Sequence, residues 1–348
     1  MINFAVFSRK YHMFYKFIVV SAAFFLFFSC SNDFDLTEGK TELPVIYGLL
    51  SQNDTAVYVR VEKVFVDEDI EPKILASDPN NLYYDDITVI LKNLQTNATY
   101  TMKKVDGNLE GYPRSEGIFV QSPNILYKLH TNELQGGILG DTSRYEITLK
   151  KEDGTTLASS TTRVLRKLLE SDIASPSASG SLAFEYNRDL NISFRSDKFA
   201  YTHDIAIIIH YTEEKNGVSS DKSLRWPIAK NFAANQPNNL NIQYAVRGRA
   251  FYEFLKSSLT VDPLINRFLK SGSIEIISGG EEIKNYVSIV QANIGITSSG
   301  EFPTYTNIKN GVGLFSSRTR LLRENINFAN PTRDSISNGI ITRDLNFR

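Results

Sequence analysis

Past its first forty or so residues, the chain alternates apolar and polar positions over short stretches. In residues 56–66, Val57, Val59 and Val61 alternate with Tyr58, Arg60 and Glu62. A period of two predicts a strand with one buried face. Residues 87–94 and 99–105 flank Gln95-Thr96-Asn97-Ala98 and predict a hairpin. Residues 144–150 and 155–164 flank Glu152-Asp153-Gly154, where glycine tolerates the positive φ of a tight turn. Residues 70–79 interrupt the pattern; Pro72 at a first turn and Pro79 past the end predict a short helix.

Residues 166–180 break the alternation. Ser175-Pro176-Ser177-Ala178-Ser179-Gly180 is small and flexible, with little to bury. Beyond it, residues 182–194 and 201–211 read as strands, and 273–278 is β-rich. Phe251, Phe254, Leu255 and Leu259 recur at helical spacing, as do Ile283, Tyr286, Val287 and Val290. The expected fold is mainly β. An immunoglobulin-like β-sandwich over 44–166 and a linker at 167–180 lead into an α+β domain over 181–348, with a β-sheet and about two helices.

The N-terminus has a different pattern. Residues 1–29 carry Arg9, Lys10 and Lys16 and no acid, and 17–28 is an apolar run interrupted only by Ser21. A bilayer span needs about 20 residues, so this run is too short and fits the core of a secretory signal. It ends at Phe27-Phe28-Ser29-Cys30. A small residue before the chain's sole cysteine resembles a bacterial lipobox, although Phe27 stands where Leu, Val or Ile is usual. Cys30 is the expected lipidation site, 1–29 the signal peptide and 30–43 an acidic tether; Met13 offers an alternative start. Asp33, Asp35, Glu38 and Glu42 after the cysteine resemble the surface-export signal of Bacteroidetes lipoproteins.

Composition narrows the function. The chain has 348 residues, 42% of them apolar, and a formal net charge of −1. That is enough to bury a core, and the balance lacks the basic excess of a nucleic-acid binder. One cysteine makes neither an internal disulfide nor a thiolate zinc site. The G-x-S-x-G, H-E-x-x-H and phosphate-loop motifs do not occur. Gly311-Val312-Gly313 has Ser316 where a dinucleotide loop needs a third glycine. Ser219-Ser220-Asp221-Lys222 matches S-x-x-K by letter, in a Gly/Ser-rich turn without partner boxes. His203 and His210 share an expected strand at an odd separation and so face opposite ways. Asp85/Asp86 and Glu281/Glu282 are adjacent in sequence, an arrangement that solvates turns, whereas glycosidase carboxyls stand about 5–10 Å apart across a cleft. No metal ligand set, cofactor or catalytic residue is expected.

Trp226, in Arg225-Trp226-Pro227, suits core packing, a protein interface or a sugar platform. Asn310-Gly311 favours a turn, and Gly313 permits close backbone approach. Trp226, Asn310, Gly311 and Gly313 are therefore the candidate binding surface. Asp54-Thr55-Ala56 and Asp334-Ser335-Ile336 match the short D-[ST]-aliphatic pattern that resembles the O-glycosylation sequon of exported Bacteroidetes proteins, which marks Thr55 and Ser335.

Several stretches, in order, resemble an uncharacterised family of Bacteroidetes outer-membrane lipoproteins, a domain of unknown function. They are Pro44-Val45-Ile46-Tyr47-Gly48-Leu49-Leu50 with Tyr58-Val59-Arg60-Val61 and Lys63-Val64-Phe65, then Leu82-Tyr83-Tyr84, then Gly248-Arg249-Ala250-Phe251-Tyr252-Glu253-Phe254-Leu255. The last is Tyr305-Thr306-Asn307-Ile308-Lys309-Asn310-Gly311-Val312-Gly313-Leu314-Phe315-Ser316-Ser317-Arg318. The resemblance implies an address and a fold and carries no catalytic residues. The expected function is a non-catalytic binding or accessory component of an envelope transport system, held in the outer membrane by lipid on Cys30, with a TonB-dependent transporter as its partner and no nucleic acid. An envelope hydrolase with a carboxylate site hidden in the sequence, and a structural assembly component, are the alternatives.

Overall fold

The computed structural model describes residues 43–64, 72–177, 179–233, 240–294 and 304–348. The signal segment, Cys30, almost all of the tether and residues 234–239 lie outside the described residues. The chain is mainly β. The strands of the first half are β1 (Leu43–Leu50), β2 (Ala56–Val64), β3 (Ile87–Asn93), β4 (Thr99–Thr101), β5 (Lys103–Asp106), β6 (Ile125–His130), β7 (Arg144–Lys151) and β8 (Thr156–Arg163). Then come β9 (Ile173–Ser175), β10 (Asp189–Arg195), β11 (Thr202–Lys215), β12 (Val218–Phe232), β13 (Asn241–Arg247), β14 (Ile265–Gly279) and β15 (Val312–Ile326). The helices are α1 (Pro72–Ser77), α2 (Pro79–Leu82), α3 (Gly248–Ser258), α4 (Glu281–Ile294) and α5 (Asn330–Asn338).

One long sheet organises the chain, in the order β12-β11-β14-β15-β1-β2-β6-β5. Its centre is β15. The first half of β15 runs parallel to β1, with Val45 beside Val312 and Leu50 beside Ser317. The second half runs antiparallel to β14, with Arg318 beside Gly279 and Ile326 beside Gly272. Two smaller sheets pack on it. The sheet β4-β3-β7-β8 closes a sandwich over β1, β2 and β6; its core includes Ile46, Val57, Val59, Val61, Val89, Leu91, Ile147, Leu149 and Phe315. The sheet β13-β10-β9, with α3 and α5, covers β11, β14 and the end of β15; that core includes Ile192, Phe194, Ile205, Ile207, Phe251, Ile276, Leu321 and Ile336. Phe315 and Leu321 are an even number apart on one strand, so the two cores lie side by side on one sheet face.

Between them that face is polar. Ser317 and Thr319 are fully buried. Ser317 Oγ donates to the Arg163 carbonyl and Thr319 Oγ1 accepts from the Leu168 N–H. The chain crosses from one core to the other here, and the hydroxyls satisfy backbone groups that aliphatic side chains would leave unpaired. Residues 167–177 of the expected linker are built into the body. Leu168 and Ile173 are buried in the second core, and β9 pairs with β10. Arg166 Nη1 and Nη2 grip both Asp172 oxygens at 2.8 and 3.0 Å, and the Asp197 carboxylate accepts the Arg166 N–H at 2.7 Å.

Several expected elements form where the pattern placed them. β2 buries Val57, Val59 and Val61. The β7–β8 hairpin turns at Gly154, at φ 85°, and the β3–β4 hairpin turns with Asn97 at φ 60°. Others differ. The expected strand 99–105 breaks at buried Met102: β4 stays with β3, while β5 leaves for the long sheet and pairs with β6. Residues 182–188 are irregular, because Leu182 exchanges backbone bonds with Asn327 and Ala329 instead of entering a sheet, and β10 starts only at Asp189. Pro79 opens a second short helix, with Asp78 capping the Asn80 N–H at 2.9 Å. A third helix of the second half, α5, joins the two expected there.

Candidate functional site

Trp226 lies on β12 opposite Ile207 of β11, and both point into the second core. It is 8% exposed. Its ring stacks on Phe254 at 5.3 Å between centroids and lies 5.8 and 6.0 Å from Phe251 and Phe184. Of the roles that Trp226 suits, the structure shows core packing and leaves no open platform: the helical spacing of Phe251, Phe254 and Leu255 turns α3 onto β12, and the indole fills the join. Asn310, at φ 57°, and Gly311 form the turn into β15. A Cβ on Gly313, at φ 121°, would overlap the Ile46 carbonyl, and one on Gly311 would come within 2.6 Å of the Pro44 carbonyl. These glycines let β15 lie against β1. Asn307 ties the turn closed: its Oδ1 accepts the Phe315 N–H at 3.0 Å and its Nδ2 donates to the Phe315 carbonyl at 2.7 Å. Trp226 sits on the outermost strand of the long sheet and the 310–313 turn at its middle, so the structure does not bring these residues together.

His203 and His210 do face opposite ways. The extra residues of the neighbouring bulges fall on β12 and β14, which leaves the alternation of β11 unbroken. His203 is fully buried, with Nδ1 2.8 Å from Ser278 Oγ, Nε2 unpartnered and the Phe194 ring edge-on at 5.4 Å. Burial pushes its pKa down to about 4. His210 bridges Ser223 and Ser273 at 2.9 and 2.8 Å. Thr55 is exposed in the turn before β2, whereas Ser335 is half-buried on α5 and followed by fully buried Ile336.

A polar cleft of about 290 Å³ opens where the two halves meet. Arg144 of β7 and Arg163 of β8 stand opposite each other in the hairpin and form one wall. Arg144 Nη2 lies 3.4 Å from Thr161 Oγ1, and Arg163 Nη1 donates to the Thr142 carbonyl at 2.8 Å. Phe199 receives the Arg163 guanidinium over its ring at 4.2 Å and the Lys198 ammonium at 4.8 Å, a favourable cation–π arrangement. Tyr201 and the start of α4, Gly280 to Glu282, form the other wall. Glu282 is a clasp: its Oε2 accepts from Ser316 Oγ of β15 at 2.7 Å and Thr162 Oγ1 of β8 at 3.2 Å. The two carboxylates also sit on the electropositive first turn of α4. Paired arginines, two acids and a half-exposed tyrosine can hydrogen-bond a polar ligand of balanced charge. The lining includes no histidine or cysteine.

A second cleft, of about 400 Å³, gathers Asp85, Asp86, Glu152 and Asp153 with Lys63 and Lys151. Its acids belong to turns, as their spacing suggests. Among the described residues, no group of three or more His, Cys, Asp or Glu is placed to hold a metal ion. Among the described residues every carboxylate with a displaced pKa is displaced downward. For Asp221 and Asp262 the cause is a hydrogen-bonded lysine, Lys270 or Lys215. For Glu275 burial pushes upward, but Arg225 and Arg320 together outweigh it.

No protein-family model matches the chain, and no curated protein does. Among solved structures it is similar to a DUF4785 family protein from Legionella pneumophila, at 11% identity and a TM-score of 0.21, over 67% of this chain and 52% of that one. It is also similar to the chicken interferon gamma receptor alpha chain, at 6% identity and a TM-score of 0.16, over 69% of this chain and 89% of that one. Likenesses this slight carry no argument about fold or function.

Proposed function

We propose that this is a lipid-anchored protein of the outer membrane or cell surface that binds a polar ligand or a partner without catalysing a reaction, as an accessory to an envelope transport system. The observation that carries the reading is the apolar run 17–28 ending at the chain's sole cysteine, Cys30. Among the described residues no helix is long and apolar enough to cross a membrane; in this reading lipid on Cys30 is the anchor. The binding half of the reading is supported by the cleft between Arg144, Arg163, Tyr201 and Glu282. Arg144, Arg163 and Glu282 are already held by neighbours, an arrangement suited to recognition. The stretches that resemble Bacteroidetes lipoproteins suggest a TonB-dependent transporter as the partner. Of the two sequon-like triplets, Thr55 is the better-exposed acceptor for a glycan.

Mass spectrometry of the mature N-terminus, with affinity capture from solubilised outer membranes, tests this. The expected result is an acylated Cys30, release of Cys30→Ala protein from the membrane fraction, and co-purification of a transporter that the double substitution Arg144→Ala, Tyr201→Ala weakens. A mature N-terminus elsewhere, or Cys30→Ala protein still in the membrane, overturns the anchor. Turnover of a glycan or peptide that a single carboxylate substitution abolishes overturns the non-catalytic half.

A further inference from the structure

The connection between β5 and β6, from Gly107 to Asn124, turns apolar side chains outward while its backbone is tied down. Leu109 is 88% exposed, and Tyr112, Ile118 and Phe119 are also exposed. Yet Asp106 Oδ1 accepts the N–H groups of Asn108 and Asn124 at 3.0 and 3.2 Å. Asn124 Nδ2 donates to the Tyr112 carbonyl at 2.7 Å, and Asn108 Nδ2 to the Gln121 carbonyl at 2.9 Å. Tyr112 leans on Tyr58 at 4.8 Å, Arg114 pairs with Glu62, and the Val120 N–H reaches the Ala76 carbonyl at 3.0 Å. That last bond sets the loop beside α1, where Ile74 is exposed as well. A loop held at so many points presents these side chains by construction, and a grouped apolar surface marks a contact.

The strand registers place this surface. Leu43, where the chain enters the described body, pairs with Val64 at the end of β2, and α1 follows β2. Asp106 and Ile125, from which the loop springs, pair with each other at the same end of the sheet. The far end carries a second exposed apolar group, Val218, Val261 and Leu264, near the tip of the β11–β12 hairpin. From the level of Val45 to that of Ile326 the strands run about 45 Å, and the hairpin tip lies beyond. The roughly 13 residues from Cys30 to Leu43 span at most about 45 Å when fully extended. A body standing on its far end would hold Leu43 out of reach of an anchor in the bilayer.

Building on the lipid anchor above, we infer that Ile74, Leu109, Tyr112, Ile118 and Phe119 form a second, membrane-contacting surface that seats the body on the bilayer with the β11–β12 tip pointing away. The charges beside it are mixed: Glu110, Arg114, Glu116 and Lys73. The contact is therefore apolar and interfacial and does not need anionic lipid. Aromatic and aliphatic side chains on a rigid loop suit the headgroup–acyl boundary. One acylated cysteine holds a protein at the membrane but leaves it free to swing; a second contact gives it one orientation.

An acylated Cys30 leaves the chain without a free thiol, so Leu109→Cys and Val218→Cys each provide a single site for a nitrobenzoxadiazole label. The labelled proteins are reconstituted in phosphatidylcholine vesicles with nitroxide-bearing lipid. Several-fold stronger quenching at position 109 than at 218, unchanged by salt, is the expected result. Equal quenching at the two positions, or stronger quenching at 218, overturns the inference. Intact mass reports acylation separately. If the acyl mass is absent, the anchor reading fails on its own, and the same pair of labels in a Cys30→Ser background with excess vesicles still decides the surface.

Discussion

The aromatic cluster around Trp226 and the loop from Gly107 to Asn124 use similar residues in opposite ways. In the first, Phe184, Trp226, Phe251 and Phe254 pack ring on ring beneath α3, and the polar residues of β12 face out. In the second, asparagine and aspartate side chains turn inward to hold the backbone, and Leu109, Tyr112, Ile118 and Phe119 face out. An aromatic residue is thus no pointer to a binding surface by itself. What separates the two regions is whether a periodic element supplies a second apolar layer. Helix α3 supplies one for Trp226. Over the loop, none of the described residues does.

The largest effect that could break the comparison is at Trp226. Trp226→Ala should cost about 3–5 kcal/mol, the usual range for truncating a buried large aromatic. A urea unfolding midpoint measures it. A well-folded, equally stable variant would return Trp226 to the list of surface residues.

Gly313→Ala comes next, because β15 is the strand that the two cores share. The glycine adopts a φ of 121° and faces the Ile46 backbone, so a methyl group meets both strain and overlap. A loss of about 3 kcal/mol is expected. Hydrogen exchange should show β1 and β15 opening while the amides of α3 stay protected. Uniform loss of protection in both cores would mean that they unfold as one.

How much of this was legible in the sequence follows from the range over which each signal acts. Turns and alternation are local, so the hairpins at Asn97 and Gly154, the buried face of β2 and the helices α3 and α4 could be read directly. The parallel pairing of Val45 with Val312 leaves no local trace, so no spacing in the chain reveals the long sheet that joins both halves. In 167–180 serine and glycine suggest flexibility by composition alone. Their backbone is in fact held by partners far along the chain, as where Arg323 Nη1 and Nη2 reach the carbonyls of Pro176 and Ser177 at 2.6 and 2.7 Å. The cleft is partly within reach of the sequence: counting back from the turn at Gly154 brings Arg144 within one position of Arg163, and the bulge beside Leu149 and Lys150 sets the two opposite. That Glu282 joins them depends on a contact with Thr162, 120 positions away, which no spacing reveals.

His203 sharpens the contrast inside the second core, where a polar ring is buried among rings and aliphatic chains. Its pKa falls from an ordinary value near 6.5 to about 4 because burial opposes the charge. Above pH 6.5 neither folded nor unfolded chain protonates it. As the pH drops below 6.5 the unfolded chain takes up a proton that the folded chain refuses, so stability falls until about pH 4. At about 1.4 kcal/mol per pKa unit, roughly 2 kcal/mol should be lost between pH 7.5 and 5. Denaturant titrations of wild type and His203→Gln at both pH values isolate this share. A parallel fall in the two proteins would assign the loss to other groups.

The smallest expected effect on stability falls on the loop, and it discriminates most sharply between the two regions. Leu109→Ser removes a side chain that is 88% exposed and Phe119→Ser a half-exposed ring beneath the Arg114 guanidinium, so little core burial is lost, and surface changes usually stay within about 0.5 kcal/mol. The bonds from Asp106, Asn108 and Asn124 do not depend on those side chains, so the loop should keep its shape. The pair of variants should melt like wild type yet orient poorly on phosphatidylcholine vesicles, which Leu109 and Phe119 help to contact. A protease added outside such vesicles should then cut the swinging body at sites that the seated wild type shields. Marked destabilisation of either variant would mean that these side chains are buried in solution, and the outward-facing half of the comparison would fall.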